Sequence, residues 1–187
     1  MRSIVSKKES NRTNQIILGI FLVFVMVASV LGYAFLGEEK AQSSEKISYN
    51  GWNFLKQNGR WALDAEGANL NFKYNPNEIE RISGIINPLS NYAEKPLYIS
   101  YENGEAMSEI YPNLYYFVER INKACLEGEK CEEGLVVKNC TNNFIIIKKS
   151  EEQSIKQEEN CVFIQGNEEN LIKTVDEFLF KVFGITQ

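Results

Sequence analysis

The chain has 187 residues, of which 44% are hydrophobic and 24% are charged, and its formal net charge at pH 7 is −5. It contains no histidine, which excludes serine-histidine-aspartate triads, cysteine-histidine dyads and histidine metal ligands. An acidic protein also lacks the positive surface that binding to phosphate backbones needs, so we expect no nucleic acid partner.

Ile16 to Leu36 is an uncharged stretch of twenty-one residues near the N-terminus. A helix of this length spans ~31 Å at ~1.5 Å per residue, which matches a hydrocarbon core of ~30 Å. Four basic residues and one acidic residue precede it, whereas Glu38 and Glu39 follow it. The positive-inside rule therefore predicts a single-pass protein of the cell membrane, bound to the lipid bilayer through this stretch. Its N-terminus is expected in the cytoplasm and residues 38–187 outside it.

A cleaved secretory signal is the alternative, because Gly32-Tyr33-Ala34 has small residues where a signal peptidase needs them. The apolar core of such signals runs ~7–15 residues. The stretch here is longer, which favours a retained anchor. Both interpretations export residues 38–187.

The sequence predicts four regions. Residues 1–15 form a cytoplasmic basic tail, 16–36 the transmembrane helix, 37–48 a polar linker without apolar periodicity, and 49–187 one extracytoplasmic domain. Such a length is ordinary for a single domain with its own core.

Asn58-Gly59 is the clearest local signal in the exported part, because this pair supplies both positive φ angles of a type I′ turn. It predicts a hairpin in which Gln57 lies opposite Arg60. A third strand with one apolar side follows, from Leu70 to Tyr74. The apolar residues of the hairpin then share one buried face: Trp52, Phe54, Trp61 and Leu63. We therefore predict an N-terminal β-meander that packs on the rest of the domain.

The middle of the domain shows helical signals. Asn75-Pro76 predicts a short helix through about Ile82, since Asn caps helices and Pro suits their first position. A strand is expected from Leu97 to Tyr101. Beyond it, apolar residues recur every three or four positions, which predicts an amphipathic helix. Its apolar positions are Met107, Ile110, Leu114, Phe117, Ile121 and Cys125.

Three later runs are apolar at successive positions, which is typical of strands covered on both faces. We expect these central strands at Leu135 to Val137, Phe144 to Ile147 and Val162 to Ile164. Ser150 to Asn160 is interpreted as a solvated loop.

Asn167 is expected to cap a final helix that has Lys181 in its last turn and Gly184 beyond it. The buried stripe of this helix is expected to be Leu171, Val175, Phe178, Leu179 and Val182. The whole order predicts an α+β domain with a mixed β-sheet, two main helices and the N-terminal β-meander.

All four cysteines, Cys125, Cys131, Cys140 and Cys161, lie in the exported part, where an even number indicates two disulfides. Three pairings are open. We favour Cys125 with Cys131 and Cys140 with Cys161, because each bond closes one connection between predicted elements. A four-thiolate zinc site is the alternative, but its paired short spacings are absent.

Asn139-Cys140-Thr141 is an N-glycosylation sequon on the exported side. If Asn139 carries a glycan, it must lie on an exposed turn. An unglycosylated turn remains the alternative. The second sequon, at Asn11, lies on the cytoplasmic side and is expected to stay unmodified.

No catalytic, cofactor or metal signature stands out in the chain. Glycine-rich nucleotide motifs are absent, and the only aspartates, Asp64 and Asp176, are too far apart in sequence for a calcium loop. We therefore expect a non-catalytic membrane-anchored extracytoplasmic domain that mediates protein interaction at the cell envelope. A hydrolase that uses carboxylates alone, such as Glu132-Glu133, is an alternative that this pattern does not favour.

A small-ligand or glycan-binding module is the other alternative, because three tyrosines are candidates for an exposed aromatic contact surface. They are Tyr111, Tyr115 and Tyr116. Adjacent residues on an α-helix point ~100° apart, so Tyr115 and Tyr116 cannot both face one core. Partial burial at the rim of the core is the competing interpretation.

Three segments of the exported part resemble uncharacterised single-span membrane-anchored proteins of archaea. They are YNGWNFLKQNGRWALDA, NFKYNPNEIERI and NCVFIQGNEENLIKTVDEFLFKVFGI. The resemblance covers most of the exported part and rests on strand and helix patterns. It implies an archaeal surface location, but no activity and no functional residues.

Overall fold

The computed structural model describes residues 11–36, 45–65 and 67–186, and in its first helix the side chains of residues 14–29. The chain divides into two units, Met1–Ser43 and Ser44–Gln187, which are described separately. The first unit contains helix α1, Asn11–Leu36, which includes the whole uncharged stretch.

Helix α1 carries exposed apolar side chains, for example Ile16 at 58% and Met26 at 71% exposure. Within the residues whose side chains the structure describes, which in α1 are 14–29, no helix is long and apolar enough to cross a membrane. The predicted span at Ile16 to Leu36 therefore stays a prediction.

The second unit is an α+β fold with two sheets, as predicted. Its β-strands are β1 Lys46–Tyr49, β2 Trp52–Gln57, β3 Arg60–Ala65, β4 Ala68–Phe72, β5 Pro96–Tyr101, β6 Arg120–Leu126, β7 Val136–Lys138, β8 Asn143–Lys149, β9 Ser154–Glu158 and β10 Cys161–Gly166. Its helices are α2 Gly104–Leu114 and α3 Leu171–Val182, with a 3₁₀ turn at Leu89–Asn91.

Strands β1 to β4 form an antiparallel meander in chain order. The hairpin between β2 and β3 turns at Asn58 and Gly59, whose φ angles are 51° and 78°, and Gln57 pairs with Arg60. The predicted hairpin and its register are confirmed. Its apolar face is buried at Phe54, Trp61 and Leu63, and Trp52 is half-buried.

Strand β1 begins at Lys46, within residues predicted to be linker. Its pairing with β2, from Lys46 opposite Leu55 to Tyr49 opposite Trp52, gives this polar segment backbone partners. Ile47 and Tyr49 alternate toward the core, a short period-two pattern that the linker prediction missed.

The second sheet has the strand order β7-β6-β5-β8-β10-β9. Its neighbours are parallel except for β9, which pairs antiparallel with β10, so the sheet is mixed as predicted. The chain leaves β5 toward β6 and β7, and then returns to β8 on the other side of β5.

Helices α2 and α3 lie between the two sheets. α3 contacts β9 and β10 of the mixed sheet, whereas its Phe180 packs against Phe54 and Phe72 of the meander with ring centroids 6.0 and 4.7 Å apart. α2 contacts β4, β5 and α3. The core is therefore continuous from one sheet through the helices to the other.

The helix predicted from Met107 to Cys125 was wrong in its second half. α2 ends at Leu114, and residues 120–126 form β6, which pairs with β5 from Pro96 opposite Arg120 to Ile99 opposite Lys123. The spacing of the apolar residues is compatible with a longer helix. The backbone hydrogen bonds of the parallel pair decide the structure instead.

The short helix predicted from Asn75 was also wrong. Asn75 Oδ1 accepts a hydrogen bond from Asn77 N at 2.8 Å, and Asn75 O accepts one from Glu78 N at 3.0 Å. Glu78 Oε2 accepts from both Asn75 N and the indole of Trp61. The capping chemistry of Asn75 thus stabilises an isolated turn, which the meander holds in place.

Two strand predictions need correction. Ser150 to Asn160, predicted as a loop, contains β9, which forms a hairpin with β10. The run at Leu135 to Val137, predicted as a central strand, became the edge strand β7, where Val136 and Val137 are each 53% exposed. Both errors come from partners that local hydrophobicity does not reveal.

The final helix agrees with its prediction except at its start. α3 begins at Leu171 rather than directly after Asn167, whose Oδ1 accepts a hydrogen bond from Asn170 N at 3.0 Å. Lys181 lies in the last turn, and Gly184 follows with φ 68°. The predicted stripe is buried, and so are residues around the rest of the helix: Ile172, Thr174, Asp176, Glu177 and Phe180.

Candidate functional site

The three tyrosines named from the sequence lie together at the end of α2 and are exposed. Tyr111, Tyr115 and Tyr116 are 43, 48 and 80% exposed. The rings of Tyr111 and Tyr115 stack with centroids 5.0 Å apart and planes 24° apart, and the ring of Tyr116 meets Tyr115 edge-on at 5.5 Å. We call these three residues the tyrosine cluster.

The start and spacing of α2 place this cluster. Asn103 caps the helix by accepting a hydrogen bond from Glu105 N at 2.8 Å. Residues four apart share a face of an α-helix, so Tyr111 and Tyr115 stack on the outer side while Ile110 and Leu114 are fully buried on the inner side.

Two buried polar residues fix α2 against the meander. Asn113 Oδ1 accepts from Asn71 N at 2.8 Å, and Asn113 Nδ2 donates to Asn71 O at 2.9 Å. The side-chain amide thus pairs with the backbone of β4 in the way that a neighbouring strand would. Glu109 accepts two hydrogen bonds from the guanidinium of Arg60, at 2.9 and 2.5 Å. These contacts hold the helix beneath the tyrosines in one position.

The role of Glu109 and Asn113 in fixing α2 was not predicted from the sequence. Glu109 and Asn113 are 1% and 0% exposed although both are polar. They stand four residues apart and directly precede the apolar Ile110 and Leu114. That spacing is the signal that places them on the inner face of the helix.

A largely apolar groove of about 500 Å³ lies between the meander and the C-terminal end of α3. Phe117, the residue after the tyrosine cluster, lines it together with Trp52 and Phe183. The rings of Phe117 and Phe183 meet edge-on at 5.5 Å. Its other lining residues are Ala65, Ala68, Pro88, Leu89, Ser90, Val182 and Gly184.

The disulfide prediction is confirmed in both number and pairing. Cys125 is bonded to Cys131 with Cα atoms 5.7 Å apart, and Cys140 to Cys161 with Cα atoms 4.9 Å apart. The first bond ties β6 to the loop before β7. The second ties the loop before β8 to the start of β10.

Asn139 lies on an exposed turn between β7 and β8. Its carbonyl accepts a hydrogen bond from Asn142 N at 3.1 Å. The sequence required an exposed turn for a glycan at this position, and the turn is present. Its modification stays a prediction.

Two neighbouring carboxyl groups of α3 are fully buried in the domain. Asp176 and Glu177 on α3 are both 0% exposed. Burial raises the pKa of Asp176 well above its usual range, and the charge of Glu109 raises it further. Burial also raises the pKa of Glu177, against the lowering effect of Arg81 and Lys181.

Within the described residues there is no group of three or more cysteine, aspartate or glutamate side chains placed to hold a metal ion. The chain matches no protein-family model, no curated protein and no solved structure. The resemblance to archaeal single-span proteins therefore stays a prediction.

Proposed function

We propose that residues 45–186 belong to a non-catalytic interaction domain, exported and held at the cell envelope by Ile16 to Leu36, whose tyrosine cluster contacts a protein partner. The observation that carries the proposal is the exposure of the tyrosine cluster, in which Tyr115 packs against the other two rings, at the end of a helix fixed to the meander. Tyrosine gives a large contact area with few rotatable bonds and a hydroxyl for hydrogen bonding, and it is enriched in the energetic centres of protein interfaces.

Ring geometry favours a protein partner over a flat sugar platform. A platform for a sugar ring needs aromatic faces that share a plane, whereas Tyr111 and Tyr115 stack on each other and Tyr116 stands 78° from Tyr115. The cluster presents ring edges and hydroxyls in different directions. An irregular protein surface complements such a shape better than a flat sugar face.

The apolar groove supports the same proposal. Phe117, next in sequence to Tyr116, is one of its lining residues, and its walls also include Trp52 and Phe183. A partner side chain that enters the groove would bury apolar area beside the tyrosine contacts. Central apolar anchors surrounded by polar contacts are the usual arrangement in protein interfaces.

Export and anchoring are supported by two kinds of observation. Both disulfides join cysteines of the second unit, and disulfides persist in oxidising compartments. Ile16 to Leu36 is uncharged over the length of a span, and the described apolar side chains of α1 are exposed. Full-length protein should remain with membranes after an alkaline wash. Protease added to intact cells should digest the second unit and leave the N-terminal tail.

Site-specific cross-linking in intact cells tests the contact surface. A photoreactive amino acid at Tyr116 should give one defined adduct, and Tyr111→Ala or Tyr115→Ala in the same chain should reduce its yield. Loss of an interface tyrosine costs about 2 kcal/mol, or about 30-fold in affinity. The matched control is Ile85→Ala, which removes an apolar side chain that is 94% exposed elsewhere. Equal adduct yields in all three variants would reject the proposal.

Glycan binding is the second candidate, supported by the 80% exposure of Tyr116, which leaves much of one ring open to solvent. It predicts saturable binding of envelope oligosaccharides, measured by calorimetry, that Tyr116→Ala abolishes and Ile85→Ala preserves. Such a result without any protein adduct would replace the protein partner by a glycan.

A further inference from the structure

Strand β7 leaves an apolar edge of the mixed sheet open. Its partner is β6, with Val136 opposite Ala124 and Val137 opposite Cys125, and among the described strands none pairs with its other side. Neighbouring strand residues point to opposite faces of a sheet. Val136 and Val137 are each 53% exposed, so both faces are uncovered at this edge.

The opposite edge of the sheet is protected and β7 is not. β9 carries the exposed charges of Lys156 and Glu158, which discourage pairing with another chain. The single charge of β7, Lys138, lies over the ring of Tyr98, with its Nζ 4.7 Å from the centroid. The backbone groups of an open strand edge are a template for pairing with another chain, and the two exposed valines add apolar area that such pairing would bury.

The sequon begins at the residue after this strand. Thr141 donates hydrogen bonds from Oγ1 and N to Asn139 Oδ1, at 2.7 and 3.2 Å, so the hydroxyl of the sequon and its asparagine already meet. Asn139 Nδ2 donates to Glu127 Oε2 at 3.2 Å. That bond uses one amide hydrogen, and the second hydrogen remains for substitution.

We propose that Asn139 is N-glycosylated and that its glycan covers the open edge formed by Val136 and Val137. The donor is a polyprenyl-phosphate-linked oligosaccharide at the outer side of the membrane. Asn139 Nδ2 attacks the anomeric carbon and loses one proton. The bond from that carbon to the phosphate oxygen breaks, and the polyprenyl phosphate leaves with the bonding electrons.

The product fits the folded turn. A substituted amide keeps one N–H, which is enough to maintain the bond to Glu127 Oε2. At ~3.3 Å per residue, Asn139 stands ~7 Å along the strand from Val137 and ~10 Å from Val136. An oligosaccharide is long enough to extend from Asn139 over this distance along the edge, where its bulk and hydration prevent another strand from approaching.

The modification is tested on full-length protein purified in mild detergent from the cell in which it originates. Wild type should exceed its sequence mass by an oligosaccharide. Asn139→Gln and Thr141→Ala should lose the whole added mass, whereas Thr141→Ser should keep it. Asn11→Gln, which removes the sequon on the predicted cytoplasmic side, should keep it as well.

The shielding role is tested by light scattering during gel filtration of the same samples. The two sugar-free variants, and wild type after enzymatic deglycosylation, should form dimers or larger species that untreated wild type lacks. Adding Val136→Lys and Val137→Lys to Asn139→Gln should restore the wild-type size. Agreement between Asn139→Gln and Thr141→Ala separates loss of sugar from damage to the turn.

Three results would overturn all or part of the inference, and the thiol count separates a missing glycan from a domain that is not exported. An unmodified Asn139 in protein with no free thiols rejects the glycan and leaves the proposed export intact. Sugar-free variants that stay as dispersed as wild type reject the shield. Four free thiols would show that the domain is not exported, which rejects both the glycan and the proposed location.

Discussion

Asp176 is a buried carboxyl group on α3, and asparagine at this position should stabilise the domain at neutral pH. Its Oδ2 accepts a hydrogen bond from Tyr74 N at 2.8 Å, whereas Oδ1 has no partner among the described residues. Burial and the nearby charge of Glu109 raise the pKa of Asp176 well above its usual value. The folded protein therefore keeps this carboxyl protonated at pH values where the unfolded chain has already lost the proton.

The size of the effect follows from linkage. The carboxyl of an unfolded chain ionises near pH ~3.9. From that pH up to the raised folded-state pKa, only the folded protein holds the proton, so the free energy of unfolding falls by ~1.4 kcal/mol per pH unit. Asparagine is similar in shape, keeps an oxygen for Tyr74 N and has no charge. The gain of Asp176→Asn over wild type should therefore be larger at pH 7 than at pH 4, by ~1.4 kcal/mol for each pH unit over which only the folded protein holds the proton.

Urea unfolding of residues 44–187 between pH 4 and pH 8 measures this difference, with the fluorescence of Trp61, 1% exposed, as the signal. The control is Asp64→Asn, the same substitution at an exposed carboxylate near the end of β3, where Oδ1 accepts from Gly67 N at 2.9 Å. It removes an exposed carboxylate, so a pH dependence that appears only with Asp176→Asn comes from the buried position. If the gain from Asp176→Asn is flat with pH or shrinks as pH rises, the account of Asp176 is incorrect.

Three further substitutions test the contacts that build the fold. Arg60→Met should lower the free energy of unfolding by about 3 kcal/mol in the same urea assay, because the buried Glu109 loses its partner. A larger loss is not expected, since Arg60 is 35% exposed. Adding Glu109→Gln should recover most of the loss. Replacing Cys140 and Cys161 by alanine should lower the free energy of unfolding by about 3 kcal/mol, as expected for a bond between residues 21 apart. If reducing agent leaves the melting temperature of wild type unchanged, this expectation is wrong. Gly59→Ala should cost about 1 kcal/mol by thermal unfolding, because φ 78° strains any residue with a Cβ; a neutral result would show that the hairpin turn adapts.

Local chemistry predicted the parts of the fold that depend on few residues. Asn58-Gly59 determined both the turn and the register of its hairpin, since only residues that tolerate positive φ make a type I′ turn. The disulfide pairing followed from the assumption that each bond closes one connection. Lys181 and Gly184 marked the end of α3 through charge and backbone freedom.

Partners distant in sequence decided the elements that were predicted incorrectly. Residues 120–126 have helical apolar spacing, but β5 offers them a parallel ladder. Ser154 to Glu158 is polar enough for a loop, yet β10 pairs with it along its whole length. Strand β7 is as apolar as a central strand and lies at an edge, because chain order does not specify which neighbour a strand acquires.

The candidate site was predicted only as far as the exposed residues. Angular spacing on a helix indicated that Tyr115 and Tyr116 cannot both be buried, and both are exposed. The contacts of Asn113 with Asn71, and of Glu109 with Arg60, join residues more than forty positions apart. No pattern within one segment contains that information, so the support of the site required the structure.

The two helices of the second unit differ in how they are covered, and this difference locates the surface available for binding. α3 has a sheet on each side, and ten of its twelve residues are buried. α2 buries five of eleven and turns its outer face, with the tyrosine cluster, to solvent. Truncation of the apolar residues of α3 should therefore reduce stability and partner binding together, because the helix supports α2. Substitutions of the tyrosines should reduce binding and leave the free energy of unfolding nearly unchanged.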